Sequence, residues 1–241
     1  EVPGMELAAV CDTNPARLTW AEETYPDVPR FDDAEKLMTS GLVNAVLIAT
    51  PHYIHPDLVI AALKHDLHVI SEKPVTLCSA DLKEMIDASE RTGKLFTVHQ
   101  NRRWDVDYLA MKQIYDSGEI GKVMNLESRV HGSRGIPSDW RGEREHGGGM
   151  LYDWGIHLID QVLMIFGWDV ESVYCVCDHI TNKEVDDGFR LELVFKNGQR
   201  ALIELGTYNF IAMPRFYMRA EKGSAIITDW REKCKVAKCT H

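Results

Sequence analysis

The sequence lacks any stretch approaching the roughly 20 consecutive apolar residues that a membrane span requires. Residues 1–6 also lack the basic start and the apolar run of a signal peptide. Basic side chains are scarce, with 27 Lys and Arg against 37 Asp and Glu, and the formal charge of -10 would repel a phosphate backbone. We therefore expect a cytoplasmic protein that binds neither a membrane nor nucleic acid.

Paired metal-ligand clusters are also missing. The six cysteines are scattered, and we interpret them as the reduced thiols of a cytosolic protein. His52 and His55 are three residues apart across a predicted turn, a spacing that fixes no metal geometry, and no acidic ligand is evident beside them. The sequence therefore predicts no metal site.

The first 99 residues alternate short apolar strands with helices of about ten residues. Buried strands separated by helices imply a parallel sheet covered on both faces, so we expect a doubly wound, Rossmann-type domain over residues 1–99. The predicted strands are 5–11, 28–31, 42–50, 67–71 and 95–99, and the predicted helices are 14–24, 32–40, 55–65 and 79–91.

Beyond His99 the pattern changes to a helix at about 105–117, followed by long stretches in which polar and apolar residues alternate. The alternation is clearest in 189–196, and Asn197-Gly198 supplies the positive backbone angles that a tight two-residue hairpin turn needs. We expect an α+β substrate domain with a mostly antiparallel sheet over residues 100–241.

A dinucleotide domain normally begins with a strand, a glycine-rich turn and a helix whose N-terminus holds the pyrophosphate. None precedes Met5, and Gly147-Gly148-Gly149 lies far downstream without the required spacing. In the usual strand order the first strand lies between those predicted at 5–11 and 42–50. We therefore expect that the first strand and the phosphate loop are missing from this sequence.

Asp12 ends the first visible strand, where dinucleotide folds present an acid to the adenosine ribose hydroxyls. That position favours NAD over NADP. An aspartate that starts the turn before Asn14-Pro15 is an equally good interpretation.

Two further segments follow predicted strands and so lie at the carboxyl edge, where doubly wound folds bind ligands. Thr50 and Pro51 follow the strongest strand, and His55 begins the next helix near the cofactor. Glu72 and Lys73 follow the next strand. A lysine held there beside a substrate hydroxyl would favour the alkoxide, although a surface lysine is the alternative.

The segment 148–160 reads as the start of a helix that reaches about Phe166. Intervals of four and three residues bring Asp153, His157 and Asp160 within about 40° of one another around a regular helix axis. A carboxylate beside an imidazole can fix its tautomer, and the imidazole can take a proton near neutral pH. A structural histidine on a polar helix face is the alternative.

Together these motifs resemble the glucose-fructose oxidoreductase, inositol dehydrogenase and MocA family. The resemblance rests on A-T-P-x-x-x-H, E-K-P, Asn101-Arg102-Arg103 and the Asp153-x-Gly-x-His157-x-x-Asp160 element, in this order over nearly the whole chain. It implies an NAD(P)-dependent dehydrogenase of sugars or cyclitols with an open C-terminal sheet that also joins copies into a homo-oligomer. It further implies that Lys73, Asp153 and His157 form the catalytic group, and that Asn101 and Arg102 line the nicotinamide and substrate side.

Two other functions stay open. The same fold can carry a glycosidase in which NAD oxidises the sugar only transiently, which would release product without net NADH. It can also serve as a dinucleotide-binding sensor without catalysis. The presence of the lysine, aspartate and histidine together argues against the sensor, because a sensor needs no proton relay.

Overall fold

A computed structural model describes residues 3–239 of the chain. The chain divides into two compact units, Glu1–His99 and Gln100–His241, and each is considered by itself below. None of the helices formed by the described residues is long and apolar enough to cross a membrane.

The described part of the first unit alternates parallel strands with helices, which confirms the doubly wound pattern. The strands form two separate parallel sheets, β1–β2 and β3–β4–β5. The strands are β1 Val10–Cys11, β2 Arg30–Phe31, β3 Ala45–Ile48, β4 His68–Ser71 and β5 Phe96–Val98; the helices are α1 Pro15–Thr24, α2 Ala34–Met38, α3 His55–Lys64 and α4 Ser79–Thr92.

The predicted strand over 5–11 is wrong for its first five residues. Only Val10 and Cys11 pair with β2, while Met5 and Leu7 are 61% and 49% exposed. The predicted strand 42–50 is likewise reduced to Ala45–Ile48, whose described pairing is with β4 alone. An apolar run indicates a tendency to be buried, but a strand exists only where a second strand completes its ladder of hydrogen bonds.

Helix boundaries in this unit follow local chemistry and agree closely with the sequence. Asn14 caps α1, because its side chain accepts the N–H of Ala16, and Pro15 occupies the first helical position, where no N–H is needed. Gly93 ends α4 in the left-handed conformation. The core of the unit is formed where α3, β4 and α4 bury Val59, Leu63, Val69 and Met85.

The second unit consists of a seven-stranded sheet with two α-helices packed on one face. The strand order is β12-β11-β10-β6-β9-β8-β7, and every pairing is antiparallel except β6 with β9, which confirms a mostly antiparallel sheet. The strands are β6 Val123–His131, β7 Val170–Asp178, β8 Gly188–Phe195, β9 Arg200–Gly206, β10 Phe216–Ala220, β11 Gly223–Ile227 and β12 Lys235–Lys238; the helices are α5 Val106–Ser117 and α6 Ile156–Phe166.

The hairpin between β8 and β9 forms as the alternating sequence predicts. Phe189, Leu191, Leu193 and Phe195 are buried against the helices, and the residues between them face away. Gly198 has a φ of +85°, but Asn197 does not share a positive φ, so the predicted two-residue turn with positive angles at both positions is wrong. Leu158, Val162 and Ile165 of α6 cover this face of the sheet and complete the core.

The helix predicted to start near Gly148 and reach Phe166 is not regular. Leu151–Gly155 form a single π-helical turn, and α6 continues from Ile156. A π turn is wider than an α turn, so the angles expected for Asp153 relative to His157 and Asp160 no longer follow from 100° per residue. Turns of this kind occur frequently at functional sites.

Candidate active site

Asp12 lies directly after β1, where the sequence predicts the ribose-binding acid. Its carboxylate accepts the N–H of Asn14 at 2.8 Å and pairs with Arg17 Nη1 at 3.1 Å. The first contact is that of an aspartate starting a turn, which supports the structural interpretation of this residue. The Asp12 side chain remains 28% exposed, so its oxygens are also open to a ligand.

Thr50 follows β3 at the carboxyl edge of its sheet. Its hydroxyl Oγ1 is buried, and it has no hydrogen-bond partner among the described residues. A buried hydroxyl without a partner is costly in a native structure, so an orphaned one at a ligand-binding edge fits a polar group supplied by a bound cofactor. Pro51, also predicted to contact the cofactor, leads into the turn His52–Ile54.

His55 is fully buried at the start of α3. Its Nδ1 lies 3.0 Å from the carbonyl oxygen of Pro74 and its Nε2 lies 2.9 Å from that of Thr50. The ring therefore bridges the loops that follow β3 and β4, and it positions the predicted cofactor edge rather than presenting a ring nitrogen to a ligand. Because both nitrogens face carbonyl oxygens, the geometry argues against the metal pair of His52 and His55.

Glu72 and Lys73 directly follow β4, as the sequence predicts, and precede Pro74. The Glu72 carboxylate is 2.7 Å from His99 Nδ1 and accepts the Lys73 backbone N–H at 3.2 Å. The Lys73 side chain is half-buried. Glu72 thus joins the ends of β4 and β5 and fixes the backbone from which Lys73 projects.

Three glycines before the π turn allow unusually close packing of the backbone. A Cβ on Gly148 would lie 2.3 Å from the carbonyl oxygen of Arg141, and Gly149 has a φ of +109°. The carboxylate of Asp186 accepts the Leu151 N–H at 2.7 Å and caps the turn from a distant loop. Burial raises the pKa of Asp186 above its ordinary value despite this hydrogen bond.

Asp153 lies in the π turn and is buried. Its Oδ2 accepts Arg141 Nε at 3.2 Å, and Arg141 is held in turn by Asp139 at 2.8 Å. Arg141 comes from the polar segment that precedes the glycines. The pair gives the buried carboxylate a cation, as a buried charge requires.

His157 is buried in the first turn of α6. Its Nδ1 lies 2.6 Å from Oε1 of Gln100, the residue that precedes the turn Asn101–Trp104. The Gln100 side-chain Nε2 donates to the carbonyl oxygen of Ile156 at 3.3 Å. Gln100 therefore contacts both α6 and the imidazole.

Asp160 forms an ion pair with the turn Asn101–Trp104. Arg103 donates two hydrogen bonds to its carboxylate, at 2.8 and 2.6 Å, and this carboxylate raises the pKa of Arg103 above its usual value. One residue along, Gln161 donates to the carbonyl oxygen of Arg102 at 2.8 Å. Asp160 thus fixes the turn onto α6, so the polar stripe His157, Asp160 and Gln161 faces 100–104.

Asn101 and Arg102, predicted to line the nicotinamide side, differ in their surroundings. Asn101 is exposed. The Arg102 guanidinium carbon lies 4.1 Å above the ring of Trp154 and 5.5 Å from that of Trp230, and it donates to Asp105 at 3.0 Å. Stacking and ion pairing therefore immobilise Arg102 beside the π turn.

A second arginine near this cluster is buried. Arg215 pairs with Asp107 at 2.9 Å and donates to Ser128 and Gln161 at 2.7 and 2.9 Å. Burial lowers its pKa to about 10, against the opposing charge of Asp107. The network links β6, α5 and α6. It also fixes the side chain of Gln161, which donates to the carbonyl oxygen of Arg102.

A pocket of about 410 Å³ opens within the second unit, beside the π turn. Asp153 and Trp154 form one wall, and residues of β6, β9 and the loop after β6 form the others. Its polar lining groups include Ser133, Arg134 and Thr207. The buried residue Asp153 thus borders a space of the size that a small ligand requires.

One exposed cluster combines possible metal ligands. Glu143, Glu145 and His146 offer ligand atoms within 4.8 Å of one another, and His146 contacts the Glu143 carboxylate. Exposed carboxylates next to a histidine are common on protein surfaces, and no further observation points to an ion here.

Sequence reasoning missed Gln100 and gave Arg103 no specific partner. Gln100 directly precedes the Asn101-Arg102-Arg103 motif, but nothing local to it indicates a partner 57 residues away. Arg103 stands out in the sequence only as part of that motif. The signal that could have found its partner is the acid Asp160 on the same helix face as His157.

Two family models cover most of the chain. One, described as an oxidoreductase family with an NAD-binding Rossmann fold, matches residues 1–100; the other, the GFO/IDH/MocA C-terminal domain, matches residues 108–226.

Similar proteins include named dehydrogenases. An inositol 2-dehydrogenase of Arthrobacter is 32% identical over 71% of this chain and 50% of its own length. A scyllo-inositol 2-dehydrogenase (NADP(+)) of Bacillus subtilis is 27% identical over 88% of this chain and 59% of its own. The crystal structure of an NAD-binding protein from Listeria innocua is 43% identical, with a TM-score of 0.94 over 97% of this chain and 68% of the other. The chain spans about half the length of the first curated relatives it matches.

Proposed function

This chain belongs to the GFO/IDH/MocA oxidoreductase family, and from that premise we propose that the protein transfers a hydride between nicotinamide and a hydroxyl-bearing carbon of a sugar, cyclitol or related polyol. The observation that carries the proposal is the buried His157 in the first turn of α6; four residues before it, Asp153 lines the pocket of the second unit.

In the proposed reaction His157 is the general base that accepts the proton of the substrate hydroxyl. An imidazole suits this step because its ordinary pKa lies close to neutral pH. A bound nicotinamide would supply the acceptor for the hydride of the carbon that carries this hydroxyl, and the product would then carry a carbonyl group there. Proton and hydride thus leave the same C–OH unit and go to different acceptors.

Asp153 is proposed to hold the substrate and to balance the positive charge that develops on His157. Its ion pair with Arg141 keeps the carboxylate in place at the pocket wall. Lys73 is proposed to stabilise the developing oxyanion. This role is assigned because Lys73 is the lysine of the E-K-P element in the first unit.

The cofactor would be held in the first unit by groups at the carboxyl edge of its strands. We assign Thr50 Oγ1 a hydrogen bond to the dinucleotide, because this buried hydroxyl has no partner among the described residues. Asp12 would accept hydrogen bonds from the adenosine ribose, which favours NAD, and its neighbour Arg17 is the cation that would serve NADP. Pro51, His55 and Glu72 shape this edge, and Asn101 and Arg102 of the second unit are proposed to line the nicotinamide side.

A polyol substrate agrees with the pocket and with the relatives. Its lining includes Ser133, Thr207 and the cationic Arg134, which can form hydrogen bonds with hydroxyls, beside apolar residues such as Pro137, Met150 and Leu205. The similar proteins from Arthrobacter and Bacillus subtilis carry inositol 2-dehydrogenase names.

Steady-state kinetics of the whole protein on a polyol panel, with NAD and with NADP, tests the proposal. We expect His157→Ala to lower kcat by about a hundredfold or more, with little change in cofactor affinity. Lys73→Ala should also slow turnover, and the losses of the double variant should not add, because both groups act on one proton. Near-normal turnover of His157→Ala would remove this residue from the mechanism.

The family resemblance also leads us to propose that copies associate through the seven-stranded sheet. Light scattering of the whole protein at several concentrations tests this, and a monomer throughout would contradict it.

A further inference from the structure

The contact between Gln100 and His157 has a defined chemical direction. A glutamine side chain has one accepting oxygen and one donating nitrogen, and Gln100 uses both on α6. Nε2 lies 3.3 Å from the carbonyl oxygen of Ile156, and Oε1 lies 2.6 Å from Nδ1 of His157.

The opposite orientation of this amide is unfavourable. Turning it over would place Oε1 against the Ile156 carbonyl oxygen, so that two acceptors would face each other without a proton between them. The hydrogen-bond network therefore fixes the amide with its oxygen towards the imidazole. Since that oxygen can only accept, Nδ1 of His157 must carry the proton.

The position of Gln100 is fixed by its neighbours in sequence. Arg103 is bound to Asp160 by two hydrogen bonds, and the carbonyl oxygen of Arg102 accepts the side chain of Gln161. These contacts tie the turn that follows Gln100 to successive positions of α6. The amide oxygen is thus held in place before any substrate binds, as a positioning group requires.

We propose that Gln100 is a positioning residue that sets the tautomer of His157, keeping the proton on Nδ1 and the lone pair on Nε2. The inference rests on the proposed function, in which His157 accepts the substrate proton; the atom that accepts it is then Nε2. Gln100 acts through the imidazole of His157.

A neutral partner suits a base that must start each turnover without its proton. A carboxylate at this distance would favour the charged imidazolium and raise the pKa of the imidazole. An amide oxygen fixes the same tautomer without adding a charge. The Trp154 ring centroid lies 6.0 Å from that of His157, and Asp153 stands four residues earlier in the chain.

Three variants of the whole protein separate tautomer control from general stabilisation. Gln100→Glu keeps an acceptor and adds a charge, whereas Gln100→Met keeps the approximate length and removes the acceptor. Gln199→Met is the matched control, because the Gln199 amide also donates to a backbone carbonyl, that of Val123 at 3.1 Å, and lies in the hairpin between β8 and β9.

The first readout is the ¹⁵N chemical shifts of the His157 ring, assigned by comparison with His157→Ala. We expect the unaltered protein and Gln199→Met to show a protonated Nδ1, and Gln100→Met to show a mixture of tautomers. A protonated Nε2 in the unaltered protein at neutral pH, or an unchanged spectrum in Gln100→Met, would overturn the proposal.

The second readout is the pH dependence of kcat/KM. In Gln100→Glu the low-pH limb of the kcat/KM profile should shift to higher pH by about one unit, because the imidazole stays protonated up to a higher pH. Gln100→Met should lower kcat by about tenfold, part of the 10²–10⁴ that general-base catalysis contributes, with KM for the cofactor unchanged. A pH profile in Gln100→Glu that coincides with that of the unaltered protein would contradict the proposal.

The two readouts keep this inference distinct from the proposed function. If His157→Ala retained activity while the ring shifts still depended on Gln100, the general-base role would fail and tautomer control would stand. If His157→Ala lost activity while the ring shifts ignored Gln100, the base would stand and the positioning role would fail.

Discussion

The two units hold their candidate residues by contacts of different reach. In the first unit Asp12 is fixed by Asn14 and Arg17, two and five residues away. In the second unit His157 and Asp160 are each fixed by residues 57 positions away, Gln100 and Arg103. Contacts of the first kind follow from local turn chemistry, whereas those of the second kind exist only after the unit has folded.

The sharpest test of this difference compares two glycines. In Gly148→Ala the new Cβ would meet the backbone oxygens of Arg141 and Glu143 at 2.3 and 2.8 Å, so the segments around the π turn must move apart. We expect a loss of about 3 kcal/mol or more in the free energy of unfolding, or failure to fold.

Gly93→Ala in the first unit is its matched control. Its φ is +68° but nothing lies within 4 Å of the new Cβ, so only the left-handed backbone cost of about 1–2 kcal/mol applies. Urea denaturation of both variants measures the two costs. If both variants lost the same free energy of unfolding, the distinction between the units would fail. The long-range packing around Gly148 would then be no more sensitive than the local turn at Gly93.

The next largest expected effect is a difference in coupling free energy between two ion pairs, one in each unit, which double-mutant cycles measure. The Asp160 side chain is 9% exposed and accepts two hydrogen bonds from Arg103, which is itself 42% exposed. We expect a coupling of about 1–2 kcal/mol between Arg103→Ala and Asp160→Ala. For Arg17 and Asp12, where Arg17 is 71% exposed, we expect less than about 0.5 kcal/mol. Couplings in the reverse order would contradict the distinction between the units.

The smallest effect concerns cofactor choice in the first unit. Asp12→Ser removes the carboxylate that would repel a 2′-phosphate and releases Arg17 from its ion pair. The preference for NAD over NADP in kcat/KM should narrow by about tenfold, or about 1.4 kcal/mol. Asp87→Ser, at a remote helix position paired with Lys83, is the control and should leave the ratio unchanged. A native preference for NADP would make the assignment of Asp12 wrong.

The sequence predicts most helices, the presence of the hairpin between β8 and β9 and the change from parallel to mostly antiparallel sheet. These features depend on periodicity and on residues with special backbone angles, which are local properties. The strand at 5–11 was predicted too long because its ladder depends on a partner strand. The π turn was missed because its wider winding depends on the glycines and on Asp186, 35 residues from Leu151.

For the candidate site, the sequence identified the residue types but not their partners. His157, Asp153 and Asp160 stand out by spacing alone, yet Gln100 and Arg141 have no local pattern that marks them. Asp160, expected to flank the imidazole, is paired with Arg103 instead. Polar residues on one helix face therefore indicate a catalytic role or a structural ion pair, but the sequence does not distinguish between the two.

The single parallel pairing in the second sheet has a consequence for how the chain folds. Strands β7 to β9 and β10 to β12 each form antiparallel neighbours that are close in sequence, whereas β6 lies between the two groups and pairs with β9 about 75 residues away. Closing so long a loop costs conformational entropy before any contact offsets it, so we expect the two meanders to form early and β6 to join them late. On the ribosome, at roughly 5–20 residues per second, β6 would wait about 4–15 s for β9 to be synthesised. Its apolar residues are then exposed, and this interval is when the nascent chain is most open to aggregation or to a chaperone.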